Sequence, residues 1–339
     1  MRIVLPYNMH FGKYDTNIIA GGIEKFCHQI YETFDDVCII NIDNDDPIKT
    51  NTNKIIKYAR EVDADIIISN WHQASFAGSS ILNSEFPIML VLHGSFSMGS
   101  LVSTIINLRE NGHSCYMVSE TQYDFYKILA KRFYRDIGVD GYIESSYVRG
   151  NKPEMLDIEY DCVTIGRCCP LEKRPFLLKQ YLKDTDYKNV LMTNTPNGDK
   201  EKQYLQNNSH WDGVLFDLQH KDVMKNLSKS MTYFSTSHQE TWGITALEAL
   251  SHGVPVILNG KDYNHASKII PCSDKHYKII DHNPRELAAS IECLRNSNRK
   301  EIQDMTWEKH SYDNWKNKFS NMIDQTIEKY KKPSLVKFM

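Results

Sequence analysis

The sequence is poor in several of the signals that assign a chain at a glance. None of its eight cysteines belongs to a Cys-x-x-Cys pair, and Cys168 and Cys169 stand side by side. Neither a zinc site nor a disulfide framework is indicated, and a reducing cytoplasm is the expected location. No stretch approaches the roughly 18 apolar residues of a membrane span, and the opening MRIVLPYN lacks the apolar core of a secretory leader, so a soluble chain is expected. Excess charge of either sign is absent too: 40 Lys and Arg against 43 Asp and Glu leave a net −3, so a surface for an anionic partner has to be local. Internal repeats and low-complexity tracts are missing. So is a Gly-x-Gly-x-x-Gly fingerprint after the first strand, and no acidic residue ending the second strand is placed for an adenine ribose, which argues against a dinucleotide-dependent dehydrogenase.

What the chain does have is alternation. With 339 residues, 41% hydrophobic and 11% aromatic, it is long enough for about two domains with separate cores. Short apolar runs predict strands over 2–7, 37–42, 64–69, 87–92, 116–119 and 142–148. Between them helices are expected over 54–62 and 120–135, and after Gly21-Gly22, where Ile23, Phe26, Cys27, Ile30, Tyr31 and Phe34 recur at three and four. Residues 149–160 break the pattern with Gly, Pro and mixed charge and read as a linker. Beyond it a second α/β half starts with a strand over 161–165 and continues through strands over 189–193, 213–216, 232–235, 254–258 and 277–280. A helix over 302–330 ends the pattern, with an apolar stripe of Trp307, Tyr312, Trp315, Phe319, Met322, Ile323 and Ile327. Residues 196–210 read as exposed loops. Two doubly wound α/β halves are the expected architecture.

The densest chemistry lies in 235–260, STSHQETWGITALEALSHGVPVILNG, which reads as strand, loop, helix, strand. In a parallel sheet such a loop sits at the carboxyl ends of the strands, where the first N–H groups of the following helix favour phosphate. Glu240 lies in the loop before Gly243, and Glu248 lies just over one turn into the helix. A carboxylate accepts paired hydrogen bonds from vicinal hydroxyls, so two of them here point to a substrate with two sugars and a phosphate. The strand over 161–165 ends in Gly166-Arg167, with Lys173 six residues further on, a pair suited to a diphosphate. Two other strand ends carry histidines: His72 after Asn70-Trp71, and His93 before Gly94. Asp217–His220 follows a strand and is a weaker candidate for contact with a nucleotide base.

Glu-x7-Glu around Gly243, followed by Gly-x-Pro-Val, resembles the signature of the retaining GT-B glycosyltransferases, family 4-like (glycosyltransferases group 1). Gly21-Gly22, His93, Gly166-Arg167 and Lys173 match in the right order, so the resemblance covers both halves and the final helix. It implies a GT-B fold: an acceptor-side Rossmann-like domain over 1–150, a nucleotide-sugar domain over 151–310, and a C-terminal helix over 311–339 returning to the first domain. It implies a reaction that moves a sugar from a nucleotide-diphosphate sugar, UDP-sugar favoured, to an acceptor hydroxyl with retention, needing neither cofactor nor metal. By the same resemblance Glu240 meets the donor sugar, His93 orients it, and Arg167 and Lys173 hold the diphosphate. Glu248 holds the ribose, while Gly166, Gly243, Ile244 and Thr245 complete the donor site, and Gly21 and Gly22 face the acceptor and donor phosphate. One departure stands out: Arg174 occupies a position where the family usually has glycine, so the next helix is expected to start differently.

The acceptor is read from general build alone, which is similar to that of phage enzymes that glycosylate hydroxymethylated bases of double-stranded DNA. That reading places the chain in the host cytoplasm. A bacterial glycan or lipid-linked saccharide is the alternative acceptor, and a non-catalytic nucleotide-sugar-binding protein or a GT-B epimerase the alternative class. The helix over 120–135 interleaves Tyr123, Tyr126, Phe133 and Tyr134 with Lys127, Lys131, Arg132 and Arg135, a surface for DNA phosphates or for peripheral contact with an anionic membrane.

Overall fold

The computed structural model describes residues 1–8, 22–43, 46–70, 84–93, 105–106, 108–132, 139–169, 173–195, 198–207, 213–237, 240, 242–260 and 276–331, with backbone only at 8, 48, 125 and 129–132. Two compact units result: Met1–Tyr147 together with Tyr312–Met339, and Val148–Ser311.

Unit 1 is built on β1 (Ile3–Asn8), β2 (Val37–Ile42), β3 (Ile66–Ser69), β4 (Ile88–Leu92), β5 (Ser114–Met117) and β6 (Gly141–Tyr142). Their order is β2-β1-β3-β4-β5-β6, and every pair is parallel. β3 and β4 are buried at every position. This is why they read as unbroken apolar runs: a parallel strand covered on both faces has no polar side to show. Helices α1 (Gly22–Thr33), α2 (Ile48–Glu61) and α3 (Glu120–Arg132) pack on the sheet. On one face Val4, Ile67, Leu90 and Met117 pack with Ile55, Ala59 and Tyr126. On the other, Leu5, Ile68 and Val91 pack with Phe26 and Ile30 and with Trp315, Phe319 and Ile323 of the last helix, Tyr312–Lys331. That helix is therefore part of the unit 1 core. Trp315 Nε1 donates to the Glu144 carbonyl at 2.7 Å, and Lys318 and Lys329 pair with Glu144 and Asp140.

Unit 2 repeats the plan with β7 (Tyr160–Ile165), β8 (Asn189–Thr193), β9 (Val214–Phe216), β10 (Ser230–Ser235), β11 (Val256–Asn259) and β12 (Tyr277–Ile280), ordered β12-β11-β10-β7-β8-β9 and again parallel. Its helices are α4 (Leu177–Leu182), α5 (Asp199–Gln206), α6 (His220–Ser228), α7 (Ile244–Ser251), α8 (Pro284–Leu294) and α9 (Arg299–Lys309). Leu247, Leu250 and Ile302 pack on one face against Val163, Tyr233 and Val256, while Leu178, Leu287 and Ile291 pack on the other against Cys162, Phe234 and Ile257. The chain runs outward from β7 to β9 and then returns to lay β10 on the other side of β7. The sheet order thus reverses between β7 and β10, and a crevice opens there at the carboxyl ends of the strands.

Three details differ from the sequence reading. The helix expected over 302–330 is two helices separated at His310-Ser311, where Ser311 forms an isolated parallel bridge with Val148. The strand expected over 142–148 shortens to β6. Residues 196–210, read as loops, contain α5, which starts at Gly198 with Asp199 and Glu201 in its first turn and buries no residue fully.

Candidate functional site

The crevice of unit 2 is lined by the loops that leave β7 and β10. Gly166 follows β7 directly, and a Cβ built on it would lie 3.6 Å from Lys173 Cβ, so the start and the end of this loop lie side by side. Lys173 Nζ donates to Glu240 Oε1, and the two side chains keep only 25% and 18% of their exposure. Two residues that sequence spacing leaves 67 positions apart are thus one ion pair. Arg167 is exposed and has no side-chain partner among the described residues, which leaves its five donors for a ligand.

Lys173 and its neighbour hold the Glu240 loop at a second place. Thr236 Oγ1 donates to the Lys173 carbonyl at 2.7 Å, and Arg174 Nη2 donates to the Thr236 carbonyl at 3.3 Å. Arg174 takes φ +42°, the left-handed conformation in which glycine is the unstrained residue. For an arginine this costs about 1–2 kcal/mol. The loop keeps a glycine-type turn without a glycine, and α4 starts after it at Leu177.

Gly243 supplies the turn at the other side, with φ +86° just before α7. It has no side chain to cap the helix, so the first-turn N–H groups of α7 are left for another acceptor. Ile244 packs against the core, which leaves its backbone as the group that can reach a ligand. The Thr245 hydroxyl is hydrogen-bonded to the phenol of Tyr233, a residue the sequence reading did not single out. Tyr233 lies on β10 within the fields of both Glu240 and Glu248, and burial followed by Glu240 drives its pKa far above the ordinary range, so the phenol stays protonated. Glu248 meets His220 Nε2 at 3.1 Å. Of the weaker 217–220 candidates, His220 therefore stands at the Glu248 carboxylate, while Asp217 is turned away. Its carboxylate accepts from the Thr195 N–H at 2.9 Å and from the Thr195 hydroxyl, and these bonds lower its pKa.

In unit 1 the corresponding sheet reversal lies between β1 and β3. Gly22 is the exposed first residue of α1, while Gly21 and His72 lie outside the described residues. His93 follows β4. Its Nε2 lies 3.2 Å from Asn70 Oδ1, Asn70 Nδ2 donates to Cys27 Sγ at 3.2 Å, and Phe26 meets the imidazole edge-on at 4.9 Å. With the Asn70 amide nitrogen turned to sulfur, this network assigns the His93 proton to Nε2 and leaves Nδ1 as an acceptor. Burial holds the His93 pKa down to about 3, so the ring is neutral. The unfolded chain takes up this proton near pH 6.5 and the folded unit only near 3. The stability it contributes is therefore complete above pH 6.5 and is lost as pH falls from 6.5 towards 3. In thermal melts between pH 7 and 4, His93→Gln is expected to show a shallower fall of the unfolding midpoint than the wild type; parallel profiles would rule out this role for burial.

Of the basic and aromatic residues expected to form a surface on α3, the described side chains are Tyr123, Tyr126 and Lys127. Tyr126 is in the core, and Tyr123 packs partly buried against Tyr142 under Lys127, whose Nζ is 4.1 Å from the ring centre. An amphipathic helix turns its aromatics inward. Phe133, Tyr134 and Arg135 lie outside the described residues, as do the side chains of Lys131 and Arg132. Among the described residues no helix is long and apolar enough to cross a membrane, and no group of three or more His, Cys, Asp or Glu is arranged to hold a metal.

Residues 162–309 match the sequence model of the family Glycosyl transferases group 1. No curated protein matches the chain. Among solved structures it is similar to a sucrose-phosphate synthase from Thermosynechococcus elongatus, with TM-score 0.73 and 14% identity over 96% of this chain and 99% of that one. A glycosyltransferase from Rickettsia africae ESF-5 gives TM-score 0.68 and 13% identity over 96% and 98%. The lipopolysaccharide outer core galactosyltransferase WaaB gives 0.63 and 16% over 96% and 99%. The fold is GT-B: two Rossmann-like units, with the last helix returning to the first.

Proposed function

We propose that the protein is a retaining glycosyltransferase that moves a sugar from a nucleotide-diphosphate sugar, UDP-sugar favoured, to an acceptor hydroxyl. The observation that carries this reading is the Lys173–Glu240 pair at the sheet reversal of unit 2, on the same loops as the Arg167 guanidinium, which has no side-chain partner among the described residues, and the start of α7, which has no side-chain cap. A cation for phosphate and a carboxylate for sugar hydroxyls stand within one hydrogen bond of each other. As the bond from the anomeric carbon to the phosphate oxygen breaks, negative charge grows on the diphosphate, and Arg167, Lys173 and the α7 N–H groups stabilise it. The acceptor oxygen bonds to the same face of the anomeric carbon, its proton passes to the departing phosphate, and the nucleoside diphosphate leaves. Glu248 holds the ribose, and neutral His93 accepts a hydrogen bond from a sugar hydroxyl at Nδ1. For the acceptor, a hydroxymethylated base of phage DNA is the first reading and a bacterial glycan or lipid-linked saccharide the second.

Mass spectrometry of a donor panel (UDP-, GDP- and ADP-sugars), with modified DNA and simple saccharides as acceptors, tests the proposal. Release of nucleoside diphosphate from one donor, with a mass shift of one acceptor, is expected. Binding of a donor without release of product would replace the transferase by a nucleotide-sugar-binding protein. Within the active reaction, Arg167→Ala is expected to lower kcat/KM by roughly 10–150-fold, the worth of one charged hydrogen bond. Glu240→Gln is expected to depress kcat more than Glu248→Gln, because ribose contacts are alike in ground and transition states. Equal effects of the two on KM alone would argue against these roles.

A further inference from the structure

We propose that Arg174 is a positioning residue: it clamps the loop that carries Glu240, in place of the bare glycine turn, and thereby sets where Glu240 meets the donor sugar. The inference rests on the transferase reading for its consequence but not for its geometry. Thr236 is the first residue after β10 and is almost fully buried. Its hydroxyl is tied to the Lys173 carbonyl and its own carbonyl to the Arg174 guanidinium. Four residues later Glu240 is tied to the Lys173 side chain. The two loops are therefore stitched at both ends of the segment 236–240, and among the described residues Arg174 is the charged donor that holds its main chain.

A second observation supports a dedicated role. A left-handed backbone disfavours arginine, yet this one is kept there with its guanidinium partly withdrawn from water, which lowers its pKa. Its backbone N–H bonds the Cys169 carbonyl at 2.8 Å, closing the 169–174 loop so that the side chain leaves towards Thr236. Arg174 Nε is buried without a hydrogen-bond partner among the described residues, so the anchoring falls to Nη2. Glycine would satisfy the backbone better. What it could not supply is the bond to Thr236.

That contrast makes the test clean, since Arg174→Gly removes the side chain while fitting φ +42°, and Arg174→Lys keeps a cationic donor. Hydrogen–deuterium exchange of peptides over 236–243 reads the clamp without needing catalysis, and kinetics with the best donor reads its consequence. The Gly variant is expected to exchange about 10-fold faster over 236–243 with 230–235 unchanged. Its kcat should fall about 10-fold, donor KM and nucleoside diphosphate affinity should stay within about twofold, and Lys should restore part of both losses. Wild-type exchange in the Gly variant would overturn the inference. So would an unchanged exchange with nucleoside diphosphate affinity down 10-fold, which would make Arg174 a phosphate ligand. If the wild type turns over no donor, the transferase reading fails, and exchange alone still decides whether Arg174 is the clamp.

Discussion

Lys173→Ala and Glu240→Gln should each lower kcat/KM by about 10²-fold, and the double variant should be little worse than the poorer single one. The pair is more than a surface contact, because both side chains are largely withdrawn from water. Removing either partner takes away a charged hydrogen bond, about 1.5–3 kcal/mol, and leaves the other group poorly solvated in the crevice. On the proposed reaction, the departing diphosphate loses a cation in Lys173→Ala, and Glu240, no longer held, repels the incoming phosphates. In Glu240→Gln the sugar loses a charged acceptor, and Lys173 loses the partner that directs it. Each defect contains part of the other, so a double-mutant cycle should return a coupling of about 1–3 kcal/mol. Strict additivity of the two losses would show that the residues act independently and that the contact is incidental. Unchanged kcat/KM in both would remove them from the site altogether.

How much of this was legible in the sequence depends on whether burial leaves a periodic trace. β3 and β4 were readable because each is apolar at nearly every position, and α1 because Phe26, Cys27 and Ile30 fall on one buried face. α5 was not, because a helix with no fully buried residue imprints no stripe, and only its Gly198 start and acidic first turn mark it. The break at His310-Ser311 was hidden for the opposite reason. The apolar spacing runs straight through Trp307, Tyr312 and Trp315, although Trp307 packs in unit 2 and Trp315 in unit 1. At the site, the residue types could be read but not their pairings. Lys173 meets Glu240, and Glu248 meets His220, because the sheet order reverses between β7 and β10, a property of topology that no local spacing encodes. Arg174 was noticed as a departure, but a non-glycine residue in the left-handed region goes against propensity and gives no sign of itself in the sequence.

Gly253→Ala should be among the most destabilising single-methyl additions in unit 2, by about 3–4 kcal/mol, or roughly 10 °C in unfolding midpoint for a unit of this size. Gly253 follows the His252 cap of α7 with φ +73°, its N–H bonds the Leu250 carbonyl at 2.9 Å, and the next N–H, of Val254, bonds the Ala249 carbonyl at 2.9 Å. This is the Schellman closure, in which a left-handed residue satisfies the last carbonyls of a helix. Alanine there carries about 1–2 kcal/mol of backbone strain. It would also place its Cβ 2.5 Å from the Arg299 carbonyl oxygen and 3.1 Å from its carbon, both main-chain atoms at the start of α9 that cannot swing aside. Moving them disturbs the Arg299 guanidinium, which donates to the Ser228 carbonyl at 2.6 Å and to the Leu156 carbonyl at 3.1 Å, so the overpacking adds about 1–3 kcal/mol. Gly150 is the internal control: φ is +88°, but nothing lies within 4 Å of its Cβ, so Gly150→Ala meets the strain without the clash. Thermal melts of the two variants should differ by several degrees, with Gly253→Ala the lower. Equal midpoints would mean that close approach to α9 plays no part, and that the Gly-x-Pro-Val stretch needs its glycine for the turn alone.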